Sequence, residues 1–461
     1  MARTLISFAV CLLYASFLTA QRAQDASLFP PRLPENKSLV SDTSPLFLKP
    51  PETLAASVRV AQTAPRVDFA YYPGQTYPGR PWSNWGQGCV VGDVFYSAIG
   101  DHHGPEGTAR VFAYDSRTGQ FRIVVDVRTL LNLPKGHYTP GKIHSHLTAG
   151  KDGCIYFSTH RGPTNVTTPQ YHYKGDWIIR YNPKTDRAEI VVHAPLPNQC
   201  MPTGLLDPER MIFYAGTADG NRAISRVMFL AYDVLHRKVL YSDEAGPGRA
   251  MILARSTGKV YFHPGPYQAG RRTGLVCFDP AKPGKPTPVT AELGLRAATE
   301  ESPDGKVYTV DQGHLWEFDT RRETARHLGK ITIGQADYIT SLALDPKTWR
   351  YIYFVAGAHG GAERDGSPLV QYDTKTGTSK VIAFLHPFYW NKYGYIPMGS
   401  YGLAVSPEGD KVYITWNGHY GGLPPESDKP TPFTFRPLPA RADWNICALT
   451  VIHIPALERQ P

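Results

Sequence analysis

Gly141-Lys142-Ile143-His144-Ser145-His146-Leu147-Thr148-Ala149-Gly150-Lys151-Asp152-Gly153-Cys154-Ile155-Tyr156-Phe157-Ser158-Thr159-His160-Arg161-Gly162 is the stretch that decides the fold. It reads as an apolar strand, an Asp-Gly turn and a second strand rich in aromatic and β-branched residues. A hairpin returns its two ends to the same level. The pair His144 and His146 therefore stands beside His160 and Arg161.

The same grammar repeats along the chain. Second strands are legible at Val94-Phe95-Tyr96, Ile155-Tyr156-Phe157, Ile212-Phe213-Tyr214, Val260-Tyr261-Phe262, Val307-Tyr308, Ile352-Tyr353-Phe354 and Val412-Tyr413-Ile414. Third strands end in Tyr114-Asp115, Tyr181-Asn182, Tyr232-Asp233, Phe278-Asp279, Phe318-Asp319 and Tyr372-Asp373. Seven units with a spacing of roughly 40–60 residues match the blades of a propeller. The fold expected is all-β, a seven-bladed β-propeller over residues 66–461. A ring of this kind usually completes one blade from both chain ends, and Ser57 to Val60 or Val67 to Tyr72 would supply the missing strand.

Composition agrees with an all-β chain. Glycine (42) and proline (41) are plentiful, aromatic residues make up 12%, and charged residues only 19%. Residues 1–20 have the form of a secretory signal peptide: Arg3, an apolar run from Leu5 to Leu18, and small residues before the break. That run is too short for a membrane anchor, and no other segment reads as a membrane span. Residues 21–65 read as a Pro-rich leader or linker. The chain is thus expected to be secreted, extracellular or periplasmic, and monomeric. Five cysteines follow the signal, and an odd, scattered set is not a disulfide framework.

The formal net charge of +9 invites an acidic partner. A secreted chain without a lysine-arginine run argues against nucleic acid, so an acidic polysaccharide is the partner expected. Propeller geometry puts the loops after the second strands on one face, and these hold Asp101-His102-His103, His160, His263, His314, His359 and His419-Tyr420. His144 and His146, two residues apart at the start of an inner strand, point the same way toward the central channel. Tyr171 and Tyr173 from the long loop of that blade overhang the site. Arg222, Tyr267 and Arg271 follow the second strands of the next two blades.

Two tasks suit this set. A uronate chain is cleaved by β-elimination when a base removes the proton beside its carboxyl group, an acid protonates the departing oxygen, and a cation neutralises the carboxylate. Alternatively the same groups hold an anionic glycan, or a protein partner, without chemistry. There is no nucleophile elbow, phosphate-binding loop or His-Glu-x-x-His motif, and no pair of carboxylates suited to glycoside hydrolysis. The metal content is open: a structural divalent cation has room in such a fold, but His263 and Cys277 alone do not make a site.

Tyr138-Thr139-Pro140-Gly141-Lys142-Ile143-His144, with Gly150 to Gly162 after it, resembles the corresponding region of secreted propeller polysaccharide lyases of the ulvan lyase type. The resemblance implies a carbon–oxygen lyase acting on a uronate-containing, sulfated polysaccharide, with histidines and a tyrosine handling protons and an arginine on the uronate. On that likeness His144 and His160 match the histidines, Arg222 the neutralising arginine, and Tyr267 a substrate-contacting tyrosine. His146, Arg161, Tyr171, Tyr173, Arg271, His359 and His419 join Tyr267 as substrate contacts. Met201-Pro202-Thr203 stands where the family's tyrosine is expected, so that role falls to Tyr214, Tyr171 or Tyr173, with Tyr214 placed in the catalytic set.

Overall fold

The computed structural model describes residues 30–54, 56–76, 82–219, 226–423, 439 and 442–460. Residues 1–20 and Arg222 lie outside them. Seven small antiparallel sheets form a ring, a seven-bladed β-propeller. The inner strands of blades 1 to 7 are Cys89–Val91, Thr148–Ala149, Gln199–Asp207, Ile252–Leu253, Ala297–Ala298, Leu342–Leu344 and Tyr395–Val405.

Each blade is buried on both faces, and the second strands show how the residues achieve this. Successive side chains point to opposite faces, so Phe95 enters the core between blades 7 and 1 while Tyr96 enters the core between blades 1 and 2. Ile155 and Phe157 likewise go one way and Tyr156 the other. Tyr353 and Tyr413 repeat the alternation in blades 6 and 7. This is why the second strands are apolar at every position instead of alternating with polar residues.

The aromatic–acid ending of the third strands has an equally local cause. The side chains of Asp115, Asn182, Asp233, Asp279, Asp319 and Asp373 each accept a backbone N–H two residues on, at 2.8–3.0 Å. Each thus closes the turn into the outer strand. In the Lys151-Asp152-Gly153 turn, Asp152 does the same for the Cys154 amide at 3.0 Å, with Gly153 at φ +78°.

Blade 7 is completed from both ends of the chain. Its strands run Tyr395–Val405, Lys411–Tyr420, Ile446–His453, then Arg66–Tyr71 and finally Val40–Thr43. Of the two stretches expected to close the ring, Val67 to Tyr72 coincides with the closing strand Arg66–Tyr71 to within one residue at each end. Part of the Pro-rich segment also packs on the ring: Phe47 is fully buried against blade 7, and Val60 bridges to Val381 on the edge of blade 6. All five described cysteines are free thiols and four are buried, so they pack as small hydrophobes. Among the described residues no helix is long and apolar enough to cross a membrane.

Candidate functional site

The site grows from the hairpin quoted first. Lys142 and His160 exchange backbone hydrogen bonds, Lys142 N–H to His160 O at 3.1 Å and His160 N–H to Lys142 O at 2.9 Å. The two hairpin ends are thereby clamped, and the rings of His144 and His160 lie edge-on with centroids 5.8 Å apart. The loop of blade 1 closes over them because two glycines allow it. A Cβ on Gly141 or on Gly162 would sit 2.9 Å from the His102 Cα, too close for any side chain.

Residues within or just ahead of the inner strands line the channel mouth. Trp85 comes from blade 1, His144 and His146 from blade 2, Thr203 from blade 3, Arg249 from blade 4, Arg296 from blade 5, Thr340 from blade 6 and Tyr401 from blade 7. No Asp or Glu is among the described lining residues. Below, the channel opens into a cavity of about 320 Å³ with walls of mixed polarity, which include Arg255 and Glu300, reached past His146 and Met251. Beside the mouth, Trp85, His102, His359 and Trp444 border a shelf of about 640 Å³.

Trp85 is the hub of the aromatic contacts. Its ring centroid lies 4.9 Å from that of Tyr401, 5.5 Å from His102, 5.9 Å from Trp444 and 6.0 Å from His144. The Lys142 ammonium sits 4.0 Å from its centroid. Across the mouth, Arg296 Nε donates to the Tyr338 hydroxyl at 2.8 Å, and Tyr338 packs on His359 with centroids 4.6 Å apart.

Crowded cations set the protonation states. Burial, reinforced by Arg249, Lys142 and Arg296, holds His144 well below the usual histidine range. Burial with Arg161, Lys142 and His144 does the same to His160. His146 falls to about 4 through burial and Arg296. Burial, Arg161 and Arg249 bring Lys142 down to about 7. Tyr401 moves the other way: burial and the Tyr338 phenol push it up. The mouth is a place where neutral imidazoles and a protonated phenol coexist at neutral pH. His160 Nδ1 and the Tyr401 hydroxyl are buried without a hydrogen-bond partner among the described residues.

Of the residues singled out from the sequence, the structure gathers His144, His146, His160, Arg161 and His359 around this mouth. Tyr267 stands at its edge, under the Arg296 guanidinium at 5.7 Å, with its hydroxyl donating to Asp311 at 2.5 Å. Arg271 is engaged with the carbonyls of Pro264 and Thr273 in its own loop. His419 hydrogen-bonds the Asp443 carbonyl and His263 that of Leu293, while His314 pairs with His327 at the blade rim. Tyr173 is buried against Asp176, and Tyr171 packs on the blade 2 core.

Tyr214 needs correcting. It is fully buried between blades 3 and 4, and its hydroxyl donates to the Gly258 carbonyl at 3.1 Å, in the turn of the opposite face. Every second strand carries a tyrosine, and this one serves packing. Trp85, Lys142, Arg249, Arg296, Tyr338 and Tyr401 were not among the site residues expected from the sequence. All but Tyr401, which lies within its inner strand, precede an inner strand by a few residues, and that position was the available signal.

Nor does a divalent cation fit this mouth. No group of three or more His, Cys, Asp or Glu side chains is placed to hold one among the described residues, and the neighbouring guanidiniums would repel it.

No family model matches the sequence, and neither does any curated protein. Solved structures do. An oligogalacturonate lyase in complex with manganese superposes with a TM-score of 0.51 at 11% identity, covering 92% of this chain and 98% of that one. A chain of the mitotic checkpoint complex gives 0.48 at 9% identity over 92% and 97%. The β-propeller domain of the Trilobed protease from Pyrococcus furiosus gives 0.43 at 12% over 73% and 90%. The likeness is one of fold.

Proposed function

We propose that the chain is a polysaccharide lyase that cleaves a uronate-containing, sulfated chain by β-elimination at the channel mouth. The observation that carries this reading is the lining itself: two arginines, two histidines and a tyrosine converge there without a carboxylate. Arg249 and Arg296 would neutralise the uronate carboxylate, the part first given to Arg222, and so acidify the adjacent C–H. His144, neutral in this field, accepts that proton, with His160 edge-on behind it. Tyr401, kept protonated, supplies a proton to the departing glycosidic oxygen in place of Tyr214. The orphaned His160 Nδ1 costs about 1–3 kcal/mol while unpaired, which a hydrogen-bonding ligand would recover.

The ulvan-type resemblance of residues 138–162 and the lyase among the fold relatives support the same class. Secretion rests on residues 1–20. A second reading, a propeller that only binds an anionic glycan, draws on the aromatic shelf of Trp85 and Trp444. Incubation with a panel of uronate polysaccharides, followed by ultraviolet absorbance of the unsaturated product, separates the two. Binding without product on every substrate would leave only the second.

A further inference from the structure

Lys142 occupies an unusual place. Its backbone exchanges two hydrogen bonds with His160, which fixes its Cα at the hairpin end, and its ammonium rests at 4.0 Å on the face of Trp85, which lines the mouth. Arg161 and Arg249 act on it from the same hairpin and from blade 4, with the Cys200 thiol as a weak opposing influence. It acts in turn on His102, His144, His160 and His359. Among the described residues Lys142, Arg249 and Arg296 form no ion pair with a carboxylate.

Such a cluster must shed charge somewhere. Guanidiniums do not deprotonate in proteins, and the four histidines are already driven toward their neutral forms. Lysine is the cation left to yield. An incoming anion reverses the balance, because an opposite charge within about 4–6 Å favours the protonated amine.

We propose that Lys142 takes up a proton from solvent when an anionic ligand enters the mouth, so that binding at this site is coupled to protonation and selects multiply charged chains. The inference rests on the reading of the mouth as an anion site, not on lysis. Burial and the two arginines put the free residue near half-protonation at about pH 7. Below that pH the amine is already charged and no uptake occurs. Above it, affinity falls by about tenfold per pH unit until the ligand-bound amine itself deprotonates.

The test is a titration of the full chain labelled with 13C at lysine Cε, followed by NMR, with Lys142 assigned by the signal lost in Lys142→Arg. A midpoint near 7, raised by about one unit or more in the presence of trigalacturonate or inorganic sulfate, supports the proposal. A midpoint near the ordinary lysine value of about 10.4 overturns it, as does a low midpoint that neither anion moves. The lyase reading fails separately. A shifted Lys142 without unsaturated product on any uronate polymer leaves this inference standing, and product formation with an unmoved Lys142 leaves only the lyase.

Discussion

His144 and Tyr401 face each other across the channel mouth with ring centroids 6.1 Å apart. One comes from blade 2 and the other from blade 7, so the closure of the ring brings them together. In a β-elimination site such a pair has a natural division of labour. The imidazole is held neutral and the phenol protonated, so the base and the acid are both in their working states before substrate arrives.

Replacing either histidine tests the proton path. His144→Ala and His160→Ala are each expected to lower kcat by about 10²–10⁴-fold in the absorbance assay. If both variants keep full activity, the assignment of the mouth is wrong even should the reaction be right. Because burial and the surrounding cations hold His144 low, kcat/KM should not drop through the usual histidine range near pH 6.5 as the medium is acidified.

Two tyrosine substitutions should behave oppositely. Tyr401→Phe removes a hydroxyl that has no described partner, so thermal stability should change by less than about 0.5 kcal/mol while kcat falls by about 10²-fold or more. Tyr214→Phe strips the Gly258 carbonyl of its donor and should cost about 1–3 kcal/mol with kcat unchanged. Denaturant melts and kinetics on the same preparations read both. Full activity in Tyr401→Phe would remove it from the reaction.

Behind His160, Asp176 is fully buried and accepts from Tyr138 at 3.0 Å, Thr159 at 2.5 Å and Tyr173 at 3.3 Å. Burial raises its carboxyl to about 6, although those hydroxyls and Arg161 oppose the rise. The folded state thus binds more protons than the unfolded chain, whose Asp titrates near 3.9. Stability contributed by this group is complete below about pH 4 and declines as pH rises to about 6. Asp176→Asn should flatten that part of the stability–pH curve, measured by urea unfolding. An unchanged slope would mean that Asp176 does not titrate there.

The ring seam has the opposite sign. Asp68 on the closing strand pairs with His453 Nε2 at 2.6 Å and accepts from Ser41 at 2.6 Å. Burial alone would raise its carboxyl, but the His453 and Ser41 hydrogen bonds and the nearby charges hold it below the ordinary value. Its contribution is present above about pH 4 and lost as pH falls through the lower folded value. Asp68→Asn should cost about 1.5–3 kcal/mol at neutral pH, and the deficit should shrink in acid. A deficit independent of pH would point to packing instead of charge.

The ring was legible because its signal is local. The second-strand triplets and the Asp or Asn that ends each third strand are consequences of a two-residue period and a turn hydrogen bond, both confined to a few neighbours. The hairpin from Gly141 to Gly162 was legible for the same reason, and its two ends, with His144 and His160, do lie side by side. Tyr401 and Arg296 were not legible. Arg296 is one residue ahead of its inner strand and Tyr401 lies within its own, and only the circular arrangement of distant blades makes them neighbours of His144. The histidines after the second strands misled in part. His263 and His419 satisfy backbone carbonyls, which a strand-end histidine does without any ligand.

The shared construction of blade 7 also sets an order of events. Arg66–Tyr71 has no partner on its inner side until Ile446–His453 exists, almost four hundred residues later in synthesis. Blades 1 to 6 are assembled from contiguous chain and are free to form as it emerges. Closure, and with it the meeting of Tyr401 and His144, waits for the last strand. A chain released early would carry six blades and a mouth without its closing wall.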